Sequence, residues 1–289
     1  MNAVEFTNVC FSYIEKEQKE KDKYFIDNLN LNIKENSFLA LLGKNGSGKS
    51  TLIKLMFGIE KTLRGNINIF NKSINKEPYE IYKIASLVFQ NPDEQIVADT
   101  VDLDIAFAME NYSISSKDMN KKIDEVLDIV ELKNKRKDYI HSLSGGEKQR
   151  LCIASSLVLN PKILVLDEPT SMLDIENRNK IIELLKKIHS KGTTIIIVTH
   201  HINEIEYCDN VVFMNEGNID FCGYRNEFIE RLIKSEEFHN LNLPVNFQIA
   251  YELYKNKNIS IENEIFDYKK YARKYGNHFK KFERWIFYK

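Results

Sequence analysis

The 289-residue chain has no apolar run long enough to cross a bilayer as a helix, which takes about 20 consecutive apolar residues. Its first residues are polar and do not read as a secretion signal. Neither sign of charge is in excess: 41 Lys and Arg stand against 42 Asp and Glu, a net of −1. A chain so balanced has no global attraction to nucleic acid. The four cysteines, Cys10, Cys152, Cys208 and Cys222, show no C-x-x-C spacing. That argues against a structural metal and for a reducing compartment. Cys152 and Cys208 lie among apolar residues and are expected to pack as small hydrophobes. There is no repeat with a period of roughly 20–50 residues. What is present is 43% hydrophobic and 29% charged residues, ordinary for a globular protein. The length suits one large α/β domain with a small appendix.

Gly43-Lys44-Asn45-Gly46-Ser47-Gly48-Lys49-Ser50 fits the phosphate-binding pattern G-x-x-x-x-G-K-[ST]. The apolar run Phe38–Leu42 precedes it and a helix-like stretch, Thr51–Met56, follows. Strand, glycine-rich turn and helix is the context the motif needs. Glycines let successive backbone N–H groups curl around an anion, and the helix N-terminus adds partial positive charge. Lys49 can then reach the outer phosphates of a nucleotide and the Ser50 hydroxyl can ligate Mg²⁺.

A second motif, Leu143-Ser144-Gly145-Gly146-Glu147-Lys148-Gln149-Arg150, places a hydroxyl and two glycines at a helix start, another anion-binding concavity. It also reads as an N-capped helix, Ser144 being the cap and Glu147 its capping-box partner. Both readings can hold together. With this motif the chain resembles the ABC-type ATPases. In that family the concavity caps the γ-phosphate of ATP bound to a second subunit, a role that falls here on Ser144, Gly145 and Gly146. The resemblance likewise implies that Gly43, Asn45, Gly46, Gly48, Lys49, Ser50 and Thr51 contact the nucleotide.

Ile163–Leu166 reads as a strand buried on both faces that ends in Asp167 and Glu168. Successive strand side chains point to opposite sides, so one carboxylate can face a metal and the other a water. The resemblance assigns Mg²⁺ to Asp167, with Ser50 and Gln90, and makes Glu168 the general base. Gln90 also contacts the attacking water; its amide can both donate and accept. His200, at the end of the buried run Ile195–Val198, matches the switch histidine, while the adjacent His201 has no family role. Tyr13 matches the aromatic that stacks on adenine, and Asp174 the acid in the loop after the carboxylate pair. That loop, Ser171-Met172-Leu173-Asp174, carries Met172 where the family usually has a small residue.

Residues 4–13 and 24–33 read as strands separated by a charged run at 14–23, expected to be a solvated loop. Gly65–Phe70 alternates like a further strand, and 100–160 is mostly helical by pattern. A hairpin is expected around Glu216-Gly217, with helix from about Gly223 onward. The resulting expectation is an α/β P-loop fold of the ABC type, with an antiparallel β subdomain and a helical subdomain at about 92–160. An ATP-binding domain over 1–235 is expected to precede a C-terminal extension over 236–289.

Phe89–Gln95 and Thr100–Phe107 look like the ATPases of energy-coupling factor transporters, which drive vitamin or transition-metal uptake in prokaryotes. The Asn91-Pro92-Asp93 form is like the first of the two paralogous ATPases, and Leu241–Val245 with Gln248–Leu253 resembles that family's C-terminal extension. The resemblance implies a dimer, with itself or a paralogue, docked on the cytoplasmic face of the membrane. Its partners would be an integral coupling subunit and a separate substrate-capture subunit. Transported molecules would cross through those subunits. An ordinary ABC transporter ATPase remains an alternative. A soluble ABC ATPase of DNA repair needs a long coiled coil, but only 118 positions separate Lys49 from Asp167. Translation-type ATPases usually carry two such domains, and a regulator without hydrolysis would not need both Glu168 and His200. The last stretch, 268–289, matches nothing in the family. It carries eight cationic residues against the single Glu283, a charge of +7, leaving about −8 on the rest of the chain. Its aromatics recur at helical spacing, which reads as a packed amphipathic helix or as a contact with anionic lipid.

Overall fold

The computed structural model describes residues 1–13, 24–110, 112, 114–234, 247, 248 and 251. The charged run 14–23, the stretch Leu241–Val245 and the tail 268–289 lie outside the described residues. So does the 236–289 extension, apart from Phe247, Gln248 and Tyr251, which are helical. The described chain divides into two compact units: residues 1–200 with 207–222, and residues 201–206 with those beyond 222.

The first unit begins with strands β1 (Asn2–Phe11), β2 (Ile26–Lys34) and β3 (Phe38–Gly43), followed by helix α1 (Lys49–Met56). Then come β4 (Arg64–Ile69), β5 (Lys72–Ser73), α2 (Pro78–Tyr82) and β6 (Ala85–Val88). Helices α3 (Pro92–Gln95), α4 (Val101–Glu110), α5 (Ser116–Ile129) and α6 (Gly145–Leu157) fill the interval before β7 (Ile163–Asp167). The chain continues through α7 (Ile175–His189), β8 (Thr194–Thr199), β9 (Asn210–Asn215), β10 (Asn218–Tyr224) and α8 (Arg225–Lys234), the last in the second unit.

Two sheets form. The antiparallel one runs β2-β1-β4-β5 and the other β10-β9-β3-β8-β7-β6. In β2 the buried residues Leu29, Leu31 and Ile33 alternate with exposed polar ones, the pattern of a sheet with one wet face. The contrast with β3 and β8 is complete: every residue of each is buried. These strands pair in parallel with each other, and with β9 and β7 respectively, so both faces must be covered. One apolar core joins Val4, Phe6 and Ile67 of the antiparallel sheet to Leu52 and Met56 of α1 and to Leu39 and Leu41 of β3. The helices between β6 and β7 run from α3 at Pro92 to the end of α6 at Leu157. In α5, Ile123, Val126 and Leu127 are buried, followed by Val130 at its C-cap, at the three- and four-residue spacing of an amphipathic helix.

Candidate active site

Ends of parallel strands build the site. Leu42 of β3 pairs with Thr199 of β8, Asp167 of β7 with Val198, and Val88 of β6 with Leu166. Gly43, Gln90, Asp167, Glu168 and His200 therefore leave the sheet along its carboxyl edge, where open α/β sheets bind ligands.

The loop from β3 to α1 turns tightly. Gly43 has φ 156°, and a Cβ there would lie 2.4 Å from both the Met214 carbonyl oxygen and Ser47 Oγ. Only glycine allows so close a passage beside β9. Ser47 N donates to Lys44 O at 3.1 Å and Leu52 N to Gly48 O at 2.9 Å, which starts α1 at the loop. Lys49 is 5% exposed. Its ammonium donates to the carbonyls of Gly43 at 2.8 Å and Lys44 at 3.0 Å. Burial lowers its pKa, against the attraction of Glu168 and Asp167. Ser47 Oγ is buried with no partner among the described residues. A desolvated cation held by loop carbonyls, beside an orphaned hydroxyl and a helix start, fits a polyphosphate.

The two carboxylates diverge, as strand alternation requires. Asp167 accepts a hydrogen bond from the Ser50 hydroxyl; burial raises its pKa, with Ser50 and Lys49 opposing. Glu168 adopts φ 46°, a left-handed conformation uncommon for a residue with a long side chain. Its amide donates to Val198 O at 3.0 Å, and its carbonyl accepts from the Ser171 hydroxyl at 3.0 Å. This turn sets the carboxylate between two groups. Glu168 Oε2 accepts from Gln90 Nε2 at 3.3 Å and lies 3.3 Å from His200 Nδ1. Gln90 Nε2 also reaches Ser171 Oγ at 3.3 Å.

Ser144 caps α6 in a full capping box with Glu147, and the Lys135 ammonium lies 2.8 Å from the Glu147 carboxylate. That ammonium and the Ser144 amide hold the Glu147 pKa down to about 2. A Cβ on Gly145 would meet nothing within 4 Å, whereas one on Gly146 would lie 2.7 Å from the Asn177 side chain. Among the described residues, no hydrogen bond joins Ser144, Gly145 or Gly146 to the group around Lys49 and Glu168. A cavity of about 160 Å³ has Gln90, Gly145, Lys148 and Met172 in its walls. Asp174 caps α7, accepting from Asn177 N and Nδ2, each at 2.8 Å. Tyr13 is 57% exposed; its hydroxyl lies 2.5 Å from Thr51 Oγ1, and its ring meets Phe11 edge-on at 4.8 Å.

Three contributors had no role in the motif reading: the orphaned hydroxyl of Ser47, Ser171 bridging Gln90 and Glu168, and Asn177 against Gly146. Ser47 and Ser171 lay inside recognised motifs; Asn177 had no local signal. Cys152 and Cys208 are buried, as their apolar neighbours in the sequence lead one to expect.

The family model described as ABC transporter matches residues 26–171. The energy-coupling factor transporter ATP-binding protein EcfA1 of Clostridium novyi is 37% identical over 268 residues, covering 91% of this chain and 94% of the relative. Its counterpart in Staphylococcus aureus (strain MRSA252) is 36% identical over 250 residues, with 86% and 90% covered. Among solved structures, cbiO1 from Clostridium perfringens, part of the ABC transporter complex cbiONQ, aligns with TM-score 0.71 at 32% identity. That alignment covers 86% of this chain and 98% of cbiO1. The ATP-binding cassette MJ0796, a dimer in a post-hydrolysis state with ADP and Pi, aligns with TM-score 0.68 at 31% identity, over 76% and 98% of the two chains. The chain belongs to the ABC transporter family and, within it, to the energy-coupling factor transporter ATP-binding proteins. It is thus an ATP-binding ATPase of the transport-coupled class.

Proposed function

We propose that the chain powers uptake of a vitamin or transition metal ion, as one ATPase of a dimer bound peripherally at the cytoplasmic face of the membrane. The observation that carries hydrolysis, rather than nucleotide binding alone, is the Glu168 carboxylate held by both Gln90 and His200. A carboxylate so held can accept the proton of an attacking water. Lys49 serves the outer phosphates, and the exposed Tyr13 ring serves adenine. Ser50 and Asp167, already hydrogen-bonded to each other, are hard oxygen donors suited to Mg²⁺, and the Gln90 amide oxygen is the third donor we assign to the ion. The ion supplies charge neutralisation at the phosphate oxygens when bound.

Ser144, Gly145 and Gly146 serve the nucleotide of the second subunit. Their separation from the hydrogen-bond network of Lys49 and Glu168 and the open space at Gly145 support this. So does the dimeric state of MJ0796 with ADP and Pi. The second subunit is a paralogue or a second copy. The membrane coupling subunit docks along Gln90–Phe107, a segment on which Val97, Leu103 and Phe107 are exposed. No helix among the described residues is long and apolar enough to cross a membrane. The capture subunit, not this chain, selects the substrate.

The test is co-expression with the membrane subunit, comparing the native chain with Leu103→Asp and Phe107→Asp. Each substitution is expected to reduce complex recovery and transport while leaving ATP binding intact. Unchanged recovery and uptake in both would overturn the docking site, and no nucleotide-dependent uptake by the native complex would overturn the transport reading.

A further inference from the structure

One face of α6 is tied along its length to the segment that follows Gln90. Lys148, Cys152 and Ser155–Ser156 recur at four-residue spacing, so they lie on one side of the helix. Lys148 Nζ lies 2.7 Å from Asp93 Oδ1. The Cys152 thiol donates to Pro92 O at 3.8 Å. Gln95 Nε2 donates to Ser156 Oγ at 3.3 Å, and Ser155 Oγ to Asp104 Oδ2 at 2.9 Å. The buried Asp104 also accepts from Val97 N at 2.9 Å, fixing the loop between α3 and α4.

These ties are not equivalent. Those at Cys152, Ser155 and Ser156 hold the middle and end of α6. At its first turn, next to Gly145 and Gly146, the cavity of about 160 Å³ stands between Gln90–Asp93 and the helix. Among the described residues, Lys148–Asp93 is the one ion pair that spans it. Each partner lies three residues past a functional position: Asp93 past Gln90, Lys148 past Gly145. Asp93 is 66% and Lys148 23% exposed, so the pair adds little to folding stability. What it can do is set a distance.

We propose that Asp93 and Lys148 are a positioning pair that holds the first turn of α6, and with it Gly145 and Gly146, in register with Gln90. Hydrolysis depends on that register and nucleotide binding does not. The inference rests on the reading that Ser144–Gly146 complete the site of a second subunit. A charge reversal at Asp93 therefore acts inside the chain as well as on any partner docked along Gln90–Phe107.

The experiment compares Asp93→Lys, Lys148→Asp, the double exchange and Ser144→Arg in the whole chain, without the membrane subunit and with the second ATPase subunit added if the chain does not self-associate. Phosphate release gives kcat and KM, a fluorescent ATP analogue gives nucleotide affinity, and thermal unfolding reports structure. Each single reversal should lower kcat roughly fivefold, the scale of an exposed charge pair, at unchanged KM and affinity. The double exchange should restore most of it. Native kcat in both singles, no recovery in the exchange, or parallel loss of affinity and unfolding temperature would each overturn the pair. The Ser144→Arg chain separates the two levels. If it binds ATP without hydrolysing while the singles are normal, only the positioning pair fails. If it hydrolyses normally, the two-subunit reading fails.

Discussion

At the scale of single residues, Lys49 and Glu168 show opposite degrees of legibility. The lysine's place follows from local chemistry: three glycines, a helix start and a lysine at that start, all within eight positions, are enough to define an anion cradle. Glu168 was identifiable as a carboxylate at a strand end. Its φ of 46° and its position between Gln90 and His200 were not, because Val198 and Ser171, which hold that turn, are distant or silent in the local pattern. Ser47 is silent in the sequence for a similar reason, since only burial turns its hydroxyl into an orphan. Lys49 makes a residue-scale prediction. Its ammonium is desolvated and held by the Gly43 and Lys44 carbonyls, and phosphate oxygens would add opposing charge at close range. ATP at about 100 times its Kd should raise the native unfolding temperature by roughly 5–10 °C. In Lys49→Ala the ATP-dependent rise should fall below half of that at the same ATP concentration, with a ligand-free unfolding temperature close to native. Differential scanning fluorimetry with and without ATP checks this, and an equal rise in both chains would contradict it.

At the scale of elements, the long buried strands were legible and the short ones were not. β3, β7 and β8 are continuous apolar runs, which parallel central strands demand. β6, only Ala85–Val88 and at the sheet edge, and the two-residue β5 carry no such run. Boundaries shifted for the antiparallel pair: 4–13 and 24–33 were expected, where β1 spans Asn2–Phe11 and β2 Ile26–Lys34. The α6 start was readable because its cap is written in four consecutive residues, Ser144 to Glu147. Removing that cap with Ser144→Ala should cost about 1 kcal/mol. Glu147 adds a pH signature. Lys135 and the Ser144 amide hold its pKa at about 2, against an ordinary 4.5. A carboxylate depressed on folding stabilises fully above its unfolded pKa, and that stability is lost as pH falls through the folded value. The excess stability of the native chain over Glu147→Gln should therefore be constant above about pH 5 and shrink toward pH 2. Urea unfolding across that range measures it; a pH-independent difference would contradict the ion pair.

At the scale of the whole molecule, the fold class followed from motif order and strand pattern together. The parallel sheet gathers Gly43, Gln90, Asp167 and His200 at one edge although they span more than half the sequence. Substrate choice was never readable, since it belongs to another protein in the proposed assembly. The central claim is that two subunits share each hydrolysis event, with Glu168 as proton acceptor. It is tested most directly by size-exclusion chromatography of Glu168→Gln with ATP and Mg²⁺, beside a phosphate-release assay, with the second ATPase subunit added if the chain does not self-associate. Loss of a general base should slow hydrolysis on the order of 10²–10⁴-fold. That loss is expected together with accumulation of an ATP-bound dimer. Near-native hydrolysis by Glu168→Gln, or hydrolysis by a strictly monomeric native chain, would contradict it.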